Sequence, residues 1–417
     1  METLVIMCEE KIMDKICVGF IGMGRRGPGL LSNVLTNFQD VDVVAICDSA
    51  LDKAEKGRDI VNKKRGCDCK VYTDYKELLA DESVNTVVIS ASWESHVPLA
   101  VASMKAHKIT ALEVGGAYSI EDCWQLVRVY QETHTPFMFL ENCCYGKKEL
   151  LAHSLVRHGI FGEIVHCHGA YVHDCRKEIA DGINLRHYRQ RNYLNRNCDN
   201  YPTHDLGPIA KILGINRGNR MVSLVSVASK ARGMSEYVKD KEAFAHLKDK
   251  SWKQGDIVET IITCADGASI SLKLDTTLPH PYSREFTVCG TKGCYREEGN
   301  IVYEDSMKED KGEWMENYFN NAVEYEEKYL PKCWKNITKE ELESGHGGMD
   351  VLLFRGFFDA IKNGEEMPID VYDAASWMAI SCLSEVSIQN GGYPVAIPDF
   401  TSGEWLLRAP KDIVDFE

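Results

Sequence analysis

The sequence predicts an α/β protein: an N-terminal Rossmann domain with a doubly wound parallel sheet, then an α+β domain whose open sheet is largely antiparallel. Three observations carry this. Ile16–Ile21 and Val41–Cys47 are short apolar runs separated by a glycine turn and room for a helix. Strand-like and helical patterns then alternate as far as Leu140, as a parallel sheet with crossover helices requires. Beyond Tyr145 strands follow one another with fewer helices between them, which reads as antiparallel. At 417 residues the chain is too long for one core, so domains at 1–144 and 145–417 are expected.

The turn between the first two strands is Gly22-Met23-Gly24-Arg25-Arg26-Gly27, with G-x-G-x-x-G spacing. Its glycines allow a tight turn and close backbone approach. The helix expected over Pro28–Asn37 presents unpaired N–H groups and a positive dipole end to a pyrophosphate. Arg25 and Arg26 read either as cofactor contacts or as solvated charges. The second strand ends on Asp48, 21 residues after Gly27. A carboxylate there accepts from a ribose and repels a 2′-phosphate, which favours NAD over NADP.

Helices follow at Leu51–Lys64, Tyr75–Leu79, His96–Ala106 and Ile120–Glu132, with strands at Thr86–Ser90, Ile109–Val114 and Phe137–Leu140. Strand C-termini in such a sheet face the ligand crevice. That singles out Trp93, Glu94, Ser95 and His96, then Glu113, Val114 and their glycines, then Glu141 and Asn142.

In the second half, Leu150–His158 reads as a helix, Ile164–His173 as an alternating strand and Asn184–Asn200 as a polar loop. A helix over Leu206–Leu213 precedes strands at Met221–Ser229, Val258–Cys264, Ala268–Leu274 and Glu285–Cys289. Lys308–Glu343 is a charged, aromatic insertion with helical character. Met349–Lys362 and Val371–Gln389 are amphipathic helices, and Tyr393–Pro398 ends the fold.

A hydrophobic share of 44% and a charged share of 27% are those of an ordinary globular protein. The net charge of −15 argues against nucleic acid, which needs clustered Lys and Arg. Nothing reaches the length of a membrane span. Leu4–Cys8 is short, lacks a basic lead-in and runs into Glu9 and Glu10, so a cytoplasmic location is expected. The 16 cysteines are scattered, several inside apolar runs (Cys17, Cys47, Cys289), and read as reduced thiols. Cys67-Asp68-Cys69 and His166-Cys167-His168 lack a second pair at zinc spacing, and strand alternation sets His166 and His168 opposite Cys167, so no metal is expected.

Tyr171 and His173 lie two apart at a strand end and project on one face. Tyr201-Pro202-Thr203-His204 follows the polar loop, with Pro202 stiffening the approach to His204. Each Tyr/His pair reads either as a half-buried structural pair or as groups that exchange protons.

The glycine turn, Asp48 and the α+β second half resemble the Gfo/Idh/MocA oxidoreductases. More specific are Glu141-Asn142-Cys143-Cys144-Tyr145-Gly146, Tyr171-x-His173-Asp174-x-Arg176, Asn200-Tyr201-Pro202-Thr203-His204, Leu278-Pro279-x-Pro281-Tyr282-Ser283-Arg284, Gly290-Thr291-Lys292-Gly293, Gly345-His346-Gly347-Gly348-Met349-Asp350 and Val371-Tyr372-Asp373-Ala374-Ala375. That set resembles glycoside hydrolase family 109, the NAD-dependent α-N-acetylgalactosaminidases, over nearly the whole chain. Two departures separate the chain from ordinary dehydrogenases of the fold. Glu113-Val114-Gly115 stands where they carry Glu-Lys-Pro, and Asn200 stands where they carry an Asp four residues before the catalytic His.

The resemblance implies a recycled NAD, with oxidation at the sugar C3, proton loss and elimination at C2, water addition and re-reduction. It implies His204 as relay for the C3 hydroxyl proton and Tyr171 as base at C2, with His173, Tyr201 and Glu141 assisting departure or orienting water. Tyr171, Arg189, Tyr201, Pro202, Thr203, His204 and Tyr282 are then substrate contacts. The cofactor contacts are Gly22, Met23, Gly24, Arg25, Arg26, Gly27, Asp48, Trp93, Glu94, Ser95, His96, Glu113, Val114 and Asn142. Tyr188 precedes Arg189 where the family has Trp, and Asp205 stands where it has Gly. The partner implied is a small-molecule glycoside, with a homo-oligomer possible because open-sheet faces of this fold often pair. The alternative is an NAD-dependent sugar or polyol dehydrogenase.

Overall fold

The computed structural model describes residues 15–182, 187–312 and 314–416. Leu4–Cys8 and part of the polar loop expected at Asn184–Asn200 lie outside them. Six strands, β1 (Ile16–Ile21), β2 (Val41–Cys47), β3 (Lys70–Tyr72), β4 (Thr86–Ile89), β5 (Ile109–Leu112) and β6 (Phe137–Phe139), form a parallel sheet in the order β3-β2-β1-β4-β5-β6. That is the doubly wound order whose crevice lies where the winding reverses, beside β1. The crossover helices are α1 (Gly27–Asn33), α2 (Leu51–Arg65), α3 (Tyr75–Ala80), α4 (Trp93–Lys105) and α5 (Ile120–Thr133). β1 and β4 bury almost every side chain, because helices cover both faces of this sheet.

The glycine turn is tight for a steric reason. Gly22 has φ +102°, and a Cβ on it would lie 2.5 Å from the Ser90 carbonyl oxygen at the end of β4. No other residue keeps both the backbone conformation and the neighbouring strand.

The second sheet has eight strands: β7 (Ile164–Val172), β8 (Met221–Ala228), β9 (Ile257–Cys264), β10 (Ser269–Asp275), β11 (Thr287–Gly290), β12 (Gly293–Arg296), β13 (Ile301–Glu304) and β14 (Val395–Ala396). Their order is β13-β12-β11-β7-β10-β9-β8-β14, antiparallel throughout except where β7 meets β10. One face packs on α9 (Thr203–Ile212), which α6 (Lys147–Arg157) backs, and on the helix Val371–Gln389; the other is open, with Val165, Val227 and Ile261 exposed. Cys167 is buried on the inner face while His166 and His168 lie outward against Ser269 and Ser271, the arrangement that alternation predicts. Among the described residues no helix is long and apolar enough to cross a membrane.

Several elements differ from expectation. Helix α1 ends at Asn33, and a separate 3-10 turn covers Leu35–Asn37. Helix α4 begins at Trp93, so Trp93–His96 form its first turn. Helix α9 begins at Thr203, so His204 is helical. The described part of the polar loop contains α8 (Arg189–Asn195), and α7 (Arg176–Ala180) precedes it. The charged insertion is a chain of short helices and 3-10 turns between Asp305 and Leu342. The C-terminal helix Val371–Gln389 packs on both α5 and β8, and the Phe139 amide donates to the Ile369 carbonyl at 2.9 Å. The end of the chain thus returns to the first sheet and ties the two together.

Helix α9 lies close on β7 because Gly169 leaves room: a Cβ there would sit 2.8 Å from the Asp205 Cβ and 3.1 Å from the Asp205 carbonyl oxygen. Gly169→Ala is therefore expected to displace the helix that carries His204 and to cost about 1–3 kcal/mol. Thermal unfolding checks this; an unchanged melting temperature contradicts the close contact.

Candidate active site

A cleft of about 800 Å³ runs from the glycine turn, along the C-terminal ends of β1, β2, β4 and β5, to the end of β7. At the first-sheet end its walls include Gly22, Gly24, Arg25, Arg26, Asp48, Trp93, Glu94, Ser95, His96, Glu113, Val114 and Asn142; Tyr171, His173, Glu178, Arg189, Tyr201 and His204 close it from the second domain. The two sets of residues read separately from the sequence thus share one cavity.

Four rings stand together at the other end. The Tyr171 hydroxyl is 3.1 Å from His173 Nδ1, and the Tyr201 hydroxyl is 3.3 Å from His204 Nε2. The pairs touch, with the Tyr171 and Tyr201 ring centres 4.7 Å apart and Tyr171 5.5 Å from His204. Burial raises both phenols above their ordinary value, and nearby Arg189 pulls Tyr171 back only in part, so each phenol donates to its histidine. Burial, with Arg189 and Arg25, lowers His173, which favours its neutral, proton-accepting form.

Behind His204 stands Glu141, with no exposed surface, its Oε1 2.6 Å from His204 Nδ1 and 3.0 Å from the Cys143 amide nitrogen. Burial alone would raise this carboxyl, but the His204 ring and the Cys143 amide hold it below the ordinary value. An ionised carboxylate only accepts, so Nδ1 carries the proton and Nε2 turns its lone pair toward Tyr201 and the cleft. This corrects the role expected for Glu141: it does not reach the cleft, and whatever it does it does through His204.

Arg189 lies over the rings of Trp93 and Tyr201, 5.1 Å from each centre, with its Nε 3.1 Å from Glu178 Oε1. Tyr188 packs on Trp93 with centres 4.6 Å apart, so the Tyr that replaces the family's Trp keeps an aromatic wall. Tyr282 stands at the rim, half exposed and edge-on to Tyr171 and His173. Pro202 and Thr203 are buried at the start of α9 and do not line the cleft. Asp205 turns away from the cavity toward Gly169, so its effect falls on the seating of α9 and not on pocket shape.

Of the two arginines of the glycine turn, Arg25 stays exposed while Arg26 is drawn inward. Arg26 forks onto Asp350 at 2.7 and 2.8 Å and reaches Glu113 Oε1 at 3.1 Å. Arg25 pairs with Glu178, and Arg191 with Glu94 at 2.7 Å. Asp350 and Glu178 give no local signal of these pairings in the sequence, although Asp350 ends the motif that begins at Gly345. Asp350 also accepts from the Asn142 amide at 2.8 Å and meets His346 Nδ1 at 3.0 Å.

The first-sheet end has the features of a dinucleotide site. A Cβ on Gly24 would meet no atom within 4 Å, which leaves an open cradle beside the turn. Asp48 accepts from the Met23 amide at 2.7 Å and the Ala50 amide at 2.9 Å while its carboxylate borders the cavity. Met23 and Gly27 contribute backbone and packing only, for neither lines the cleft. Burial lowers His96 to about 4, so its ring is neutral. Its Nε2 donates to the Ala91 carbonyl at 3.1 Å, and its Nδ1 is a buried acceptor with no protein partner.

Residues 16–140 match the oxidoreductase family NAD-binding Rossmann fold, and residues 145–407 match the glycosyl hydrolase 109 C-terminal domain. The chain belongs to glycoside hydrolase family 109. It is 39% identical to an alpha-N-acetylgalactosaminidase of Tannerella forsythia, covering 94% of this chain and 87% of the relative. It is 36% identical to a glycosyl hydrolase family 109 protein of Parabacteroides distasonis, covering 95% and 89%. Among solved structures it is similar in fold to a levoglucosan dehydrogenase in complex with NADH and levoglucosan (TM-score 0.66, 19% identity, 92% of this chain and 100% of that one). An Agrobacterium radiobacter oxidoreductase in complex with NAD+, L-tartaric acid and magnesium is similarly related (TM-score 0.65, 16% identity, 93% and 99%). The protein is thus a glycosidase built on an NAD-binding oxidoreductase fold.

Asp350 is buried, which alone would raise its carboxyl, yet His346 and Arg26 hold it below the ordinary value. A depressed carboxyl stabilises the fold above its unfolded pKa of about 4 and loses that contribution as pH falls through the folded value. Asp350→Asn is expected to cost about 3–5 kcal/mol at neutral pH, with the gap to wild type closing as pH drops below about 4. Unfolding titrations across pH check this; a gap that does not depend on pH contradicts the ion pair.

Proposed function

We propose that the protein is a redox-assisted glycosidase acting on α-N-acetylgalactosaminides, with NAD as a recycled cofactor. The observation that carries this is the state of the cleft's carboxylates. Direct displacement at a glycosidic carbon uses two free carboxyl groups roughly 5–9.5 Å apart across the sugar. The acids lining this cleft are Asp48, Glu94, Glu113 and Glu178. Asp48 is held by backbone amides, Glu94 pairs with Arg191 and Glu178 with Arg25 and Arg189, while Glu113 meets Arg26 yet is raised by burial and by Asp350, so it has no second free carboxyl across the cleft to work with. Among the described lining groups that can transfer protons, the two Tyr/His pairs stand in mutual contact at one end of the cleft.

The residues that would hold NAD are the turn Gly22–Gly27 at the pyrophosphate, Asp48 at the ribose, and Trp93–His96, Glu113, Val114 and Asn142 at the nicotinamide end. When bound, NAD supplies a hydride acceptor for the sugar C3 and gives the hydride back at the end of the cycle. With the Tyr201 hydroxyl turned from Nε2 toward the sugar, His204 Nε2 takes the C3 hydroxyl proton, and Glu141 stabilises the resulting imidazolium through Nδ1. A ketone at C3 makes the C2 hydrogen acidic. Tyr171 passes its phenolic proton along the bond to His173 Nδ1 and takes the C2 proton, so the C1 substituent leaves. Tyr201, bonded to His204, and His173 orient the water that adds to the enone. Arg189, held over Trp93 and Tyr201, and Tyr282 at the rim position the sugar.

A net sugar dehydrogenase is disfavoured by Val114, which stands where those enzymes place the Lys that helps hydride transfer. An aryl α-N-acetylgalactosaminide turned over in heavy water distinguishes the two. The expected result is glycoside release with deuterium at C2 and no net NADH; stoichiometric NADH without cleavage would overturn the proposal. Tyr171→Phe is expected to lower kcat by about 10²–10⁴-fold, and full cleavage by that variant would remove Tyr171 as the base.

A further inference from the structure

The hairpin β11–β12, at one side of the open sheet face, carries two cysteines in direct register. Thr287 pairs with Arg296, Val288 with Tyr295 and Cys289 with Cys294. Val288 and Tyr295 have no exposed surface and point into the core, so alternation sets Cys289 and Cys294 side by side on the opposite face, each half-buried. Among the described residues no other two cysteines face each other across a strand ladder. On the other side of Cys289 lies His166 of β7.

We propose that Cys289 and Cys294 are a redox-closable dithiol that forms a cross-strand disulfide. The geometry favours closure. Directly opposed residues of an antiparallel pair have Cα atoms about 4.5–5.5 Å apart, inside the window of about 4.4–6.8 Å that a disulfide spans. Rotation of the two side chains therefore suffices, with no movement of the strands. Burial raises both thiols, and Arg296, next to Cys294 on the solvent face, pulls each part of the way back. Closure thus depends on proximity more than on an unusually acidic thiol.

With a peroxide as oxidant, one thiolate attacks a peroxide oxygen. The O–O bond breaks, an S–O bond forms, and hydroxide leaves with a proton as water. The second thiolate attacks the sulfenic sulfur, the S–S bond forms, the S–O bond breaks and a second water leaves. Two electrons pass from the thiols to the peroxide.

The bridge would close the hairpin just behind its tip, where the Thr291 and Lys292 amides donate to the Glu163 and Phe161 carbonyls at 2.9 Å each. It lies toward the start of β7, whereas Tyr171 and His173 stand at its other end, so glycosidase activity is expected to be the same in both forms.

The test treats the native, reduced protein with dilute hydrogen peroxide, blocks remaining thiols by alkylation and maps tryptic peptides. Trypsin cuts after Lys292, so a Cys289–Cys294 bridge leaves two peptides joined, lighter than their sum by two hydrogens. The expected result is this joined pair in the wild type, and in Cys294→Ser a Cys289 that is separately alkylated or oxidised. Wild-type Cys289 and Cys294 recovered on separate peptides after the exposed Cys67 has reacted, or either one bridged to a different cysteine, would overturn the proposal.

Discussion

Asp350 has no exposed side-chain surface, and a carboxylate in that position is tolerable only because a guanidinium, an amide and an imidazole converge on it. The guanidinium belongs to the glycine turn, the amide to the segment after β6, and the carboxylate to a helix of the second domain. This one buried charge fixes the distance between the turn that would hold a nucleotide and the domain that carries the tyrosines and histidines. Arg25–Glu178 and Arg191–Glu94 repeat the device across the same cleft with more exposed partners. Exposed pairs of that kind contribute little by themselves, so the seating of the two halves rests chiefly on Arg26 and Asp350, on the apolar packing of Val371–Gln389 against both sheets, and on the fit of α9 over Gly169.

A second consequence concerns proton chemistry. Because Asp48 accepts from backbone amides and Glu94 and Glu178 pair with arginines, while burial raises Glu113, the described cleft lacks two free carboxylates facing each other. The groups left to move protons are phenols and imidazoles in contact. Glu141 is the exception that supports the rule: its charge is spent orienting His204 from behind, which leaves Nε2 facing the reaction space as an acceptor. The same principle orients histidines in hydrolases that use an acid–imidazole relay; in the proposed cycle it would serve a sugar hydroxyl.

Much of this was legible in the chain. Gly22, Gly24 and Asp48 announce a dinucleotide turn because steric and electrostatic demands there admit few residue types. Strand alternation placed Tyr171 with His173, and the motif around Tyr201 and His204 named the second pair. What the chain hid was long-range. Arg26 and Asp350 are 324 positions apart, and nothing local to either states that they meet. Glu178 sits in a five-residue helix with no periodicity to betray it. Helix α4 starts at Trp93 and α9 at Thr203, and neither has a side-chain cap to mark its start.

The proposed cycle needs a nucleotide that is held at the turn and returned unchanged. Its most direct test follows reduced-nicotinamide absorbance while the purified protein cleaves a glycoside with no nucleotide added, before and after bound nucleotide is stripped. The account predicts cleavage with only transient absorbance in the native protein, loss of cleavage on stripping, and recovery when NAD is restored. Full-rate cleavage by the stripped protein would contradict it.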